Sequence, residues 1–336
     1  MRVLACGGAG YIGGHTMLAL LEAGHTVVAY DNLSNGSDRM IAEVGVLTGN
    51  DIPLVVGDVR DREKLDTILK SGNFDCVIHF AALKSVGQSV EDPLLYYENN
   101  VGGMTTLLSS MHHAGVRNLI FSSSATVYAL GAQMPVTEEA PLGPVNPYGR
   151  SKWIAEMSMQ DLTRAWPDLR AVSLRYFNPA GAHPSGRIGE DPKGVPDNLM
   201  PFVSRVAAGL LPEVRVFGSD YPTHDGTGVR DYIHVMDLAE GHVAALESLS
   251  SLLAGWHVYN LGRGEGFSVL DLVERFSEVN QVDVPYRIVG RRPGDLAAVW
   301  ADPTKAHLQL GWQATRDLDE ICRDAWRWQR HALAAK

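Results

Sequence analysis

Cysteine is nearly absent. Cys6, Cys76 and Cys322 are far apart and odd in number among 336 residues. No CxxC pair or Cys/His zinc spacing joins them, which argues against a disulfide framework and fits a reducing compartment. The twelve histidines are scattered without an HExxH pattern, so no metal site is expected. No run of about 18 apolar residues occurs. The opening MRVLACGGAGYIGG lacks a charged stretch followed by a long apolar one. Neither secretion nor a membrane span is expected, and the cytoplasm is the expected compartment. Positive charge is in deficit: 29 Lys and Arg against 39 Asp and Glu leave a net charge of −10. That balance disfavours nucleic acid and anionic membranes as partners, while a few arginines in one cleft still suit a small anion. No internal repeat or low-complexity tract stands out.

What is present alternates. With 45% hydrophobic residues the chain can bury the cores of one large or two ordinary domains. RVLACGG, HTVVAYD, PLVVGDV, FDCVIHFAA, VRNLIFSSSATVY and RAVSLRYFN read as strands, separated by helix-like segments such as YIGGHTMLALLEAG. Near-continuous apolar strands between helices imply a parallel sheet covered on both faces, an α/β doubly wound fold. The texture changes near residue 178. NPAGAHPSGRIGEDPKGVPDN is rich in Pro, Gly and charge and reads as a loop. EVRVFG, VYNLG and LDLVERFSEVN follow, so residues 1–177 are expected to form one domain and 178–336 a smaller mixed α/β one. HVMDLAEGHVAALESL is amphipathic and is a candidate to pack back on the first domain.

Gly7, Gly10 and Gly13 form GxxGxxG between the first strand and the first helix. Their missing side chains let backbone approach a pyrophosphate at the helix N-terminus, where free N–H groups and the dipole favour negative charge. Asp31, ending the second strand, suits the two ribose hydroxyls of an adenosine and would repel a 2′-phosphate, favouring NAD over NADP. Asn32 and Asn35 follow in a loop and offer polar contacts. Asp58, at the next strand end, either reads an adenine amino group or caps a helix.

Tyr148 and Lys152 in YGRSK share one helix face. An ammonium near a phenol favours phenolate and lowers its pKa from about 10. The phenol then removes a proton from a substrate hydroxyl, and Lys152 can also hold a ribose. Alone, such a pair is an ordinary surface pair. SSSATVY, ending a buried strand, places Ser124 at the carboxyl edge where open α/β sheets bind ligands. The serines either share the reacting proton or cap the next element.

GGAGYIG, DNLSN, HFAALKSVGQSV, YYENNVGG, FSSSATVY, NPYGRSK, LRYFNPAGAHPSG, NLMPF, DGTGVRDYIHVMDLA, YNLG and GDLAAVWAD run nearly end to end. On these motifs the chain resembles the extended short-chain dehydrogenase/reductase family, and within it the UDP-glucose 4-epimerases. The resemblance implies a Rossmann sheet, NAD bound throughout turnover and a homodimer. It implies oxidation of a UDP-hexose at C4 to a 4-keto sugar, which turns and is reduced on its other face. Tyr148, Lys152 and Ser124 would be catalytic. Gly7, Gly10, Tyr11, Ile12, Gly13, Asp31, Asn32, Asn35, Asp58, Val59, Phe80, Ala81, Ala82, Lys84, Asn99, Ser122, Tyr148, Lys152 and Tyr176 would hold the cofactor. Asn99 has a plain alternative as a buried hydrogen-bonding residue.

On the substrate side the resemblance implies Ser124 and Tyr148 at the sugar, and Asn178, Asn198 and Leu199 at the diphosphate or nearby nucleotide. Arg230 and Arg292 fit the phosphates, Asp295 a ribose hydroxyl and Phe217 the uracil. Arg205 and Arg291 read as solvated or structural. Two positions depart from the family pattern. Cys6 replaces a threonine and reads as a small buried residue. Val299 replaces a tyrosine found in relatives restricted to glucose and galactose, which implies room for N-acetylated hexoses. A nucleotide-sugar 4,6-dehydratase is the nearest rival, but elimination needs a carboxylate pair, and Ala125 and Thr126 follow Ser124. A non-catalytic NAD-binding regulator has no need of the Ser–Tyr–Lys set.

Overall fold

The computed structural model describes residues 1–292 and 294–334. Strands form where valine and isoleucine cluster between glycines: β1 (Arg2–Cys6), β2 (Thr26–Asp31), β3 (Leu54–Val56), β4 (Cys76–His79), β5 (Asn118–Ser124) and β6 (Arg170–Tyr176). With a seventh strand, Gly255–Leu261, they make one parallel sheet in the order Gly255–Leu261, β6, β5, β4, β1, β2, β3. Helices cover both faces, so alternate strand residues enter different cores. Val3 and Ala5 join one core with Met17 and Leu18 of α1 (Tyr11–Glu22) and Ile41 and Val44 of α2 (Asp38–Thr48). Leu4 and Cys6 join the other with Leu65 and Leu69 of α3 (Arg62–Gly72) and Ala155 and Met159 of the helix Pro147–Ala165. This double burial makes the strands read as unbroken apolar runs. Chain direction across the sheet reverses between β1 and β4, which opens a crevice at their carboxyl ends.

One assignment needs correction. VYNLG was expected in the second domain, but Gly255–Leu261 pairs along the whole of β6, from Gly255 with Arg170 to Leu261 with Tyr176. A buried parallel strand carries no mark of its partner, and the free edge of β6 takes the one that arrives. The helix Val235–Ser248 packs back against α1, as its amphipathic pattern allows.

Beyond residue 178 the remaining pieces are small. Val214–Phe217 pairs with Tyr286–Val289, and Val229–Arg230 lies between Phe267–Ser268 and Ala298–Val299. Met200, Val203, Val216, Leu272, Phe276 and Ile321 form their core. The last two residues of the 178–336 span lie outside the described residues. Residues 181–198 contain no helix or strand. The buried carboxylate of Asp231 accepts the N–H groups of Arg263 (2.8 Å), Gly264 (3.0 Å) and Ala301 (3.1 Å), tying the seventh strand's exit to the small sheet.

Candidate active site

The glycine turn starts where β1 ends. Gly7 has φ +83°, and a Cβ there would lie 2.5 Å from Ala81 N. A Cβ on Gly13 would lie 2.3 Å from Gly7 O, so α1 rests directly on the turn. Phe80 N and Ala81 N both donate to Cys6 O (2.8 and 3.0 Å), pinning the start of the Phe80–Ala82 segment against it. Gly10 is the N-cap of α1 without a side-chain cap bond, and a Cβ there would meet only Gly7 O, at 3.4 Å. No side chain therefore caps the first N–H groups of α1 at Tyr11 and Ile12, a cradle that fits a pyrophosphate. Tyr11 donates its hydroxyl proton to Gly181 O at 2.8 Å, joining the turn to the 181–198 loop. Cys6 is fully buried and burial pushes its thiol up, so it is an inert packing residue.

Asp31 accepts Ala9 N (3.0 Å) on one oxygen and Leu33 N (2.8 Å) on the other. Each oxygen keeps a lone pair for a ribose hydroxyl, so this position also fits a dinucleotide. Burial pushes the Asp31 pKa up, and the two backbone bonds oppose it. Asp58 does not cap a helix. Arg60 forks onto it through Nε and a terminal nitrogen (both 2.8 Å), and Asn32 donates to it at 2.9 Å. The bonds from Arg60 hold its carboxyl well below the usual range. The cap of α3 is Asp61, which accepts Lys64 N at 3.1 Å, not Asp58. Val59 is buried behind this corner, and Asn35 is exposed at its rim.

Asn146 caps the helix Pro147–Ala165 by accepting Gly149 N at 2.8 Å, and Pro147 fits the first turn. Tyr148 and Lys152 thus begin a helix whose inner face meets the carboxyl end of β5. Lys152 is 3% exposed; its Nζ donates to Ser122 O at 2.6 Å and lies 4.8 Å from the Phe121 ring centroid. Ser124 makes the cap that its plain alternative described. Its hydroxyl caps a 3₁₀ turn by accepting Thr126 N (3.2 Å) and Thr126 Oγ1 (3.0 Å), and it lies close enough to the Tyr148 phenol to favour the phenolate.

The expected acidic phenol is corrected by burial. Desolvation pushes Tyr148 up to about 12, with the neighbouring Ser124 hydroxyl opposing it. Desolvation also takes Lys152 down to about 7, opposed by the Glu156 carboxylate one turn away. Burial penalises both charges, so the protein's own groups favour the neutral pair. Below the pair, Tyr176 donates its hydroxyl proton to His242 Nε2, while His242 Nδ1 donates to Leu238 O at 2.8 Å. Burial takes His242 down to about 4, which keeps it a neutral acceptor.

Asn99, part-buried, donates to Asn100 Oδ1 at 3.0 Å. Asn100, missed in the sequence, accepts Leu83 N (2.8 Å) and donates to Leu83 O and Ser151 Oγ (both 3.0 Å). It joins the Lys84 loop to the Tyr148 helix. A second missed group lies behind Ser124. Ser123 Oγ donates to Glu156 (2.6 Å), Arg175 forks onto Glu156 (3.0 and 2.7 Å) and also donates to the Tyr128 hydroxyl (3.0 Å). Tyr128 in turn donates to Asn260 Oδ1 at 2.6 Å. The available signal was a carboxylate at i+4 from Lys152, on the helix face that enters the core.

On the substrate side, Asn178 N donates to Asp231 O at 3.0 Å. Asn198 precedes the helix Leu199–Ala207. Arg230 donates to Asp295, so that carboxylate is shared with a guanidinium rather than free for a ribose alone. The Arg292 guanidinium lies 3.8 Å from the Phe217 ring centroid, placing cation and aromatic face together. Val299 pairs with Arg230 in parallel register and packs beside Val127, Tyr128 and Phe177. Lys84 pairs with Glu190 at 2.6 Å. Arg205 donates to Pro192 O (2.8 Å) and Arg291 to Asp220 (2.7 Å), both in structural roles. His224, Asp225 and Asp271 cluster at the surface, with Asp271 accepting from His224 (3.1 Å) and Asp225 from Thr227 N (2.8 Å). No helix among the described residues is long and apolar enough to cross a membrane.

The family model described as GDP-mannose 4,6 dehydratase matches residues 4–325. The UDP-glucose 4-epimerase of Bacillus subtilis (strain 168) is 53% identical over 329 residues, covering 98% of this chain and 97% of that one. A solved UDP-glucose 4-epimerase from Stenotrophomonas maltophila, with bound NAD and formylated UDP-arabinopyranose, superposes with a TM-score of 0.98 at 49% identity, covering all of both chains. Another from Bifidobacterium longum, with NAD+ and UDP, gives 0.96 at 46%, again over all of both chains.

Proposed function

The chain belongs to the UDP-glucose 4-epimerases of the extended short-chain dehydrogenase/reductase family, and from that premise we propose how its residues divide the work. The enzyme interconverts UDP-glucose and UDP-galactose by inversion at C4, with NAD as cofactor. When bound, NAD supplies the hydride acceptor and donor at C4 and, while oxidised, a positive charge beside the phenol. Tyr148 takes the proton of the sugar 4-hydroxyl and later returns it. Ser124, whose hydroxyl beside the phenol lowers its pKa, shares that proton. Lys152, anchored on Ser122 O, is placed to stabilise the phenolate and to reach a ribose. The first turn of α1 and Asp31 hold the dinucleotide. The start of the helix Leu199–Ala207, Arg230 and Arg292 grip the diphosphate, and Phe217 and Asp295 the nucleoside. This leaves the hexose free to turn.

The observation that carries this reading is the Ser124–Tyr148–Lys152 set at the carboxyl edge of the sheet, with Ser124 and Lys152 buried and Tyr148 partly exposed. A dehydratase needs a further acid and base, and Ala125 and Thr126 supply neither. Val299, beside the sugar end, supports turnover of UDP-N-acetylglucosamine and UDP-N-acetylgalactosamine as well. Product analysis with all four UDP-sugars tests both points: C4 epimers are expected from each pair. Val299→Tyr should abolish N-acetyl turnover alone. A stable 4-keto-6-deoxy product would refute the epimerase reading.

A homodimer is supported by the exposed apolar side chains Leu94 and Met157 on adjacent helices of the first domain. Sedimentation should give twice the 36.5 kDa chain mass. Three buried free thiols suit the cytoplasm, and all three should alkylate after denaturation without reductant.

A further inference from the structure

The assigned roles leave Glu190 unexplained. It lies in the 181–198 loop with its side chain 8% exposed, where a carboxylate needs partners to offset desolvation. One oxygen accepts from two sides of the site: Lys84 Nζ at 2.6 Å and Asn198 Nδ2 at 2.8 Å. Lys84 stands on the segment after β4, on the cofactor side. Asn198 is the N-cap residue of the helix Leu199–Ala207, on the substrate side. An asparagine there ordinarily accepts an N–H from the helix's first turn. Asn198 makes no such bond. The diverted amide leaves those first-turn N–H groups free for an anion. The loop itself is held firmly. Ile188 is buried, Trp328 Nε1 donates to Glu190 O at 3.2 Å, and a Cβ on Gly189 would lie 2.4 Å from the Trp328 ring. The carboxylate therefore has a fixed base from which to hold both partners.

We propose that Glu190 is a positioning residue that couples the two ligand sites by holding cofactor-side Lys84 and substrate-side Asn198 on a single carboxylate oxygen. The inference rests on the proposed function and deepens it. Loosening Lys84 then releases Glu190, and with it the amide that keeps the diphosphate end in shape.

The test uses the purified holoenzyme as the parent chain, Glu190→Gln, Lys84→Met and the double variant. Calorimetry gives the Kd for UDP, kinetics give KM and kcat for UDP-galactose, and melting gives Tm. Glu190→Gln is nearly isosteric; it should weaken UDP and raise KM by roughly tenfold while kcat changes less than about threefold and Tm holds. Lys84→Met, at a half-exposed side chain, should also weaken UDP, and adding it to Glu190→Gln should cost little more. An unchanged UDP Kd in Glu190→Gln, independent effects that multiply in the double variant, or losses that follow Tm alone would overturn the coupling. Turnover by the parent chain tests the proposed function separately, so either can fail while the other stands.

Discussion

At the scale of single residues, chemistry and stability make opposite demands on Tyr148 and the buried Lys152 beside it. Tyr148→Phe removes only a hydroxyl. Turnover should fall by roughly 10²–10⁴-fold, the usual worth of a placed acid–base group, while UDP affinity and NAD content hold; steady-state rates and calorimetry on one preparation check this. Lys152 gives a pH signature. It titrates near 10.5 ordinarily and near 7 in the fold. Between those values the unfolded chain binds the proton and the folded one does not, so this group makes stability rise with pH there. Its burial cost is present in full below about 7. Lys152→Met should therefore be most stabilising below pH 7. Its advantage should shrink by about 1 kcal/mol per pH unit toward pH 9; urea midpoints across that range measure it. Tyr148 and Lys152 were legible because a phenol and an ammonium four residues apart form a local pattern. Their titration was not, because burial is a property of the whole site.

At the scale of elements, the glycine turn separates packing from ligand binding. Gly13→Ala puts a Cβ 2.3 Å from Gly7 O, and α1 must move away. That overpacking should cost roughly 1–3 kcal/mol and lower both Tm and retained NAD. Gly10→Ala meets only Gly7 O at 3.4 Å, so Tm should hold while bound NAD falls. Melting curves and the nicotinamide content of purified variants distinguish the two. The turn was legible because strand, glycines and helix are contiguous. The Glu156–Arg175 pair was not. Its partners lie on the Tyr148 helix and β6 and meet only when both pack on β5, and no spacing rule links positions 156 and 175. Asp58 shows the same limit, because its strand-end position gave no sign of the fork from Arg60, two residues away.

At the scale of the molecule, the chain leaves its first sheet after β6, builds the smaller lobe, and returns to add the seventh strand. The sequence showed the two textures and the loop between them, but not the return. VYNLG has the same pattern as every other buried strand, and its partner, β6, ends near residue 177. The consequence concerns autonomy. Of the 29 buried residues in the core shared by β1, α1 and α2, 12 come from beyond residue 177, among them Met236, Leu238, Leu246, Tyr259 and Leu261. At about 1.5–3 kcal/mol per large side chain, their loss removes on the order of 20 kcal/mol of burial. Whole-domain stability is only about 5–15 kcal/mol, so the remainder cannot compensate. The edge of β6 would also expose a row of unpaired backbone groups. A 1–177 fragment should therefore show no cooperative melting, bind no NAD and self-associate, despite carrying the whole glycine turn and the Tyr148–Lys152 pair. Circular dichroism melts and dinucleotide titration of that fragment decide the matter. A sharp transition with NAD bound would mean that the first 177 residues fold as a unit and that the returning strand is an addition, not a requirement.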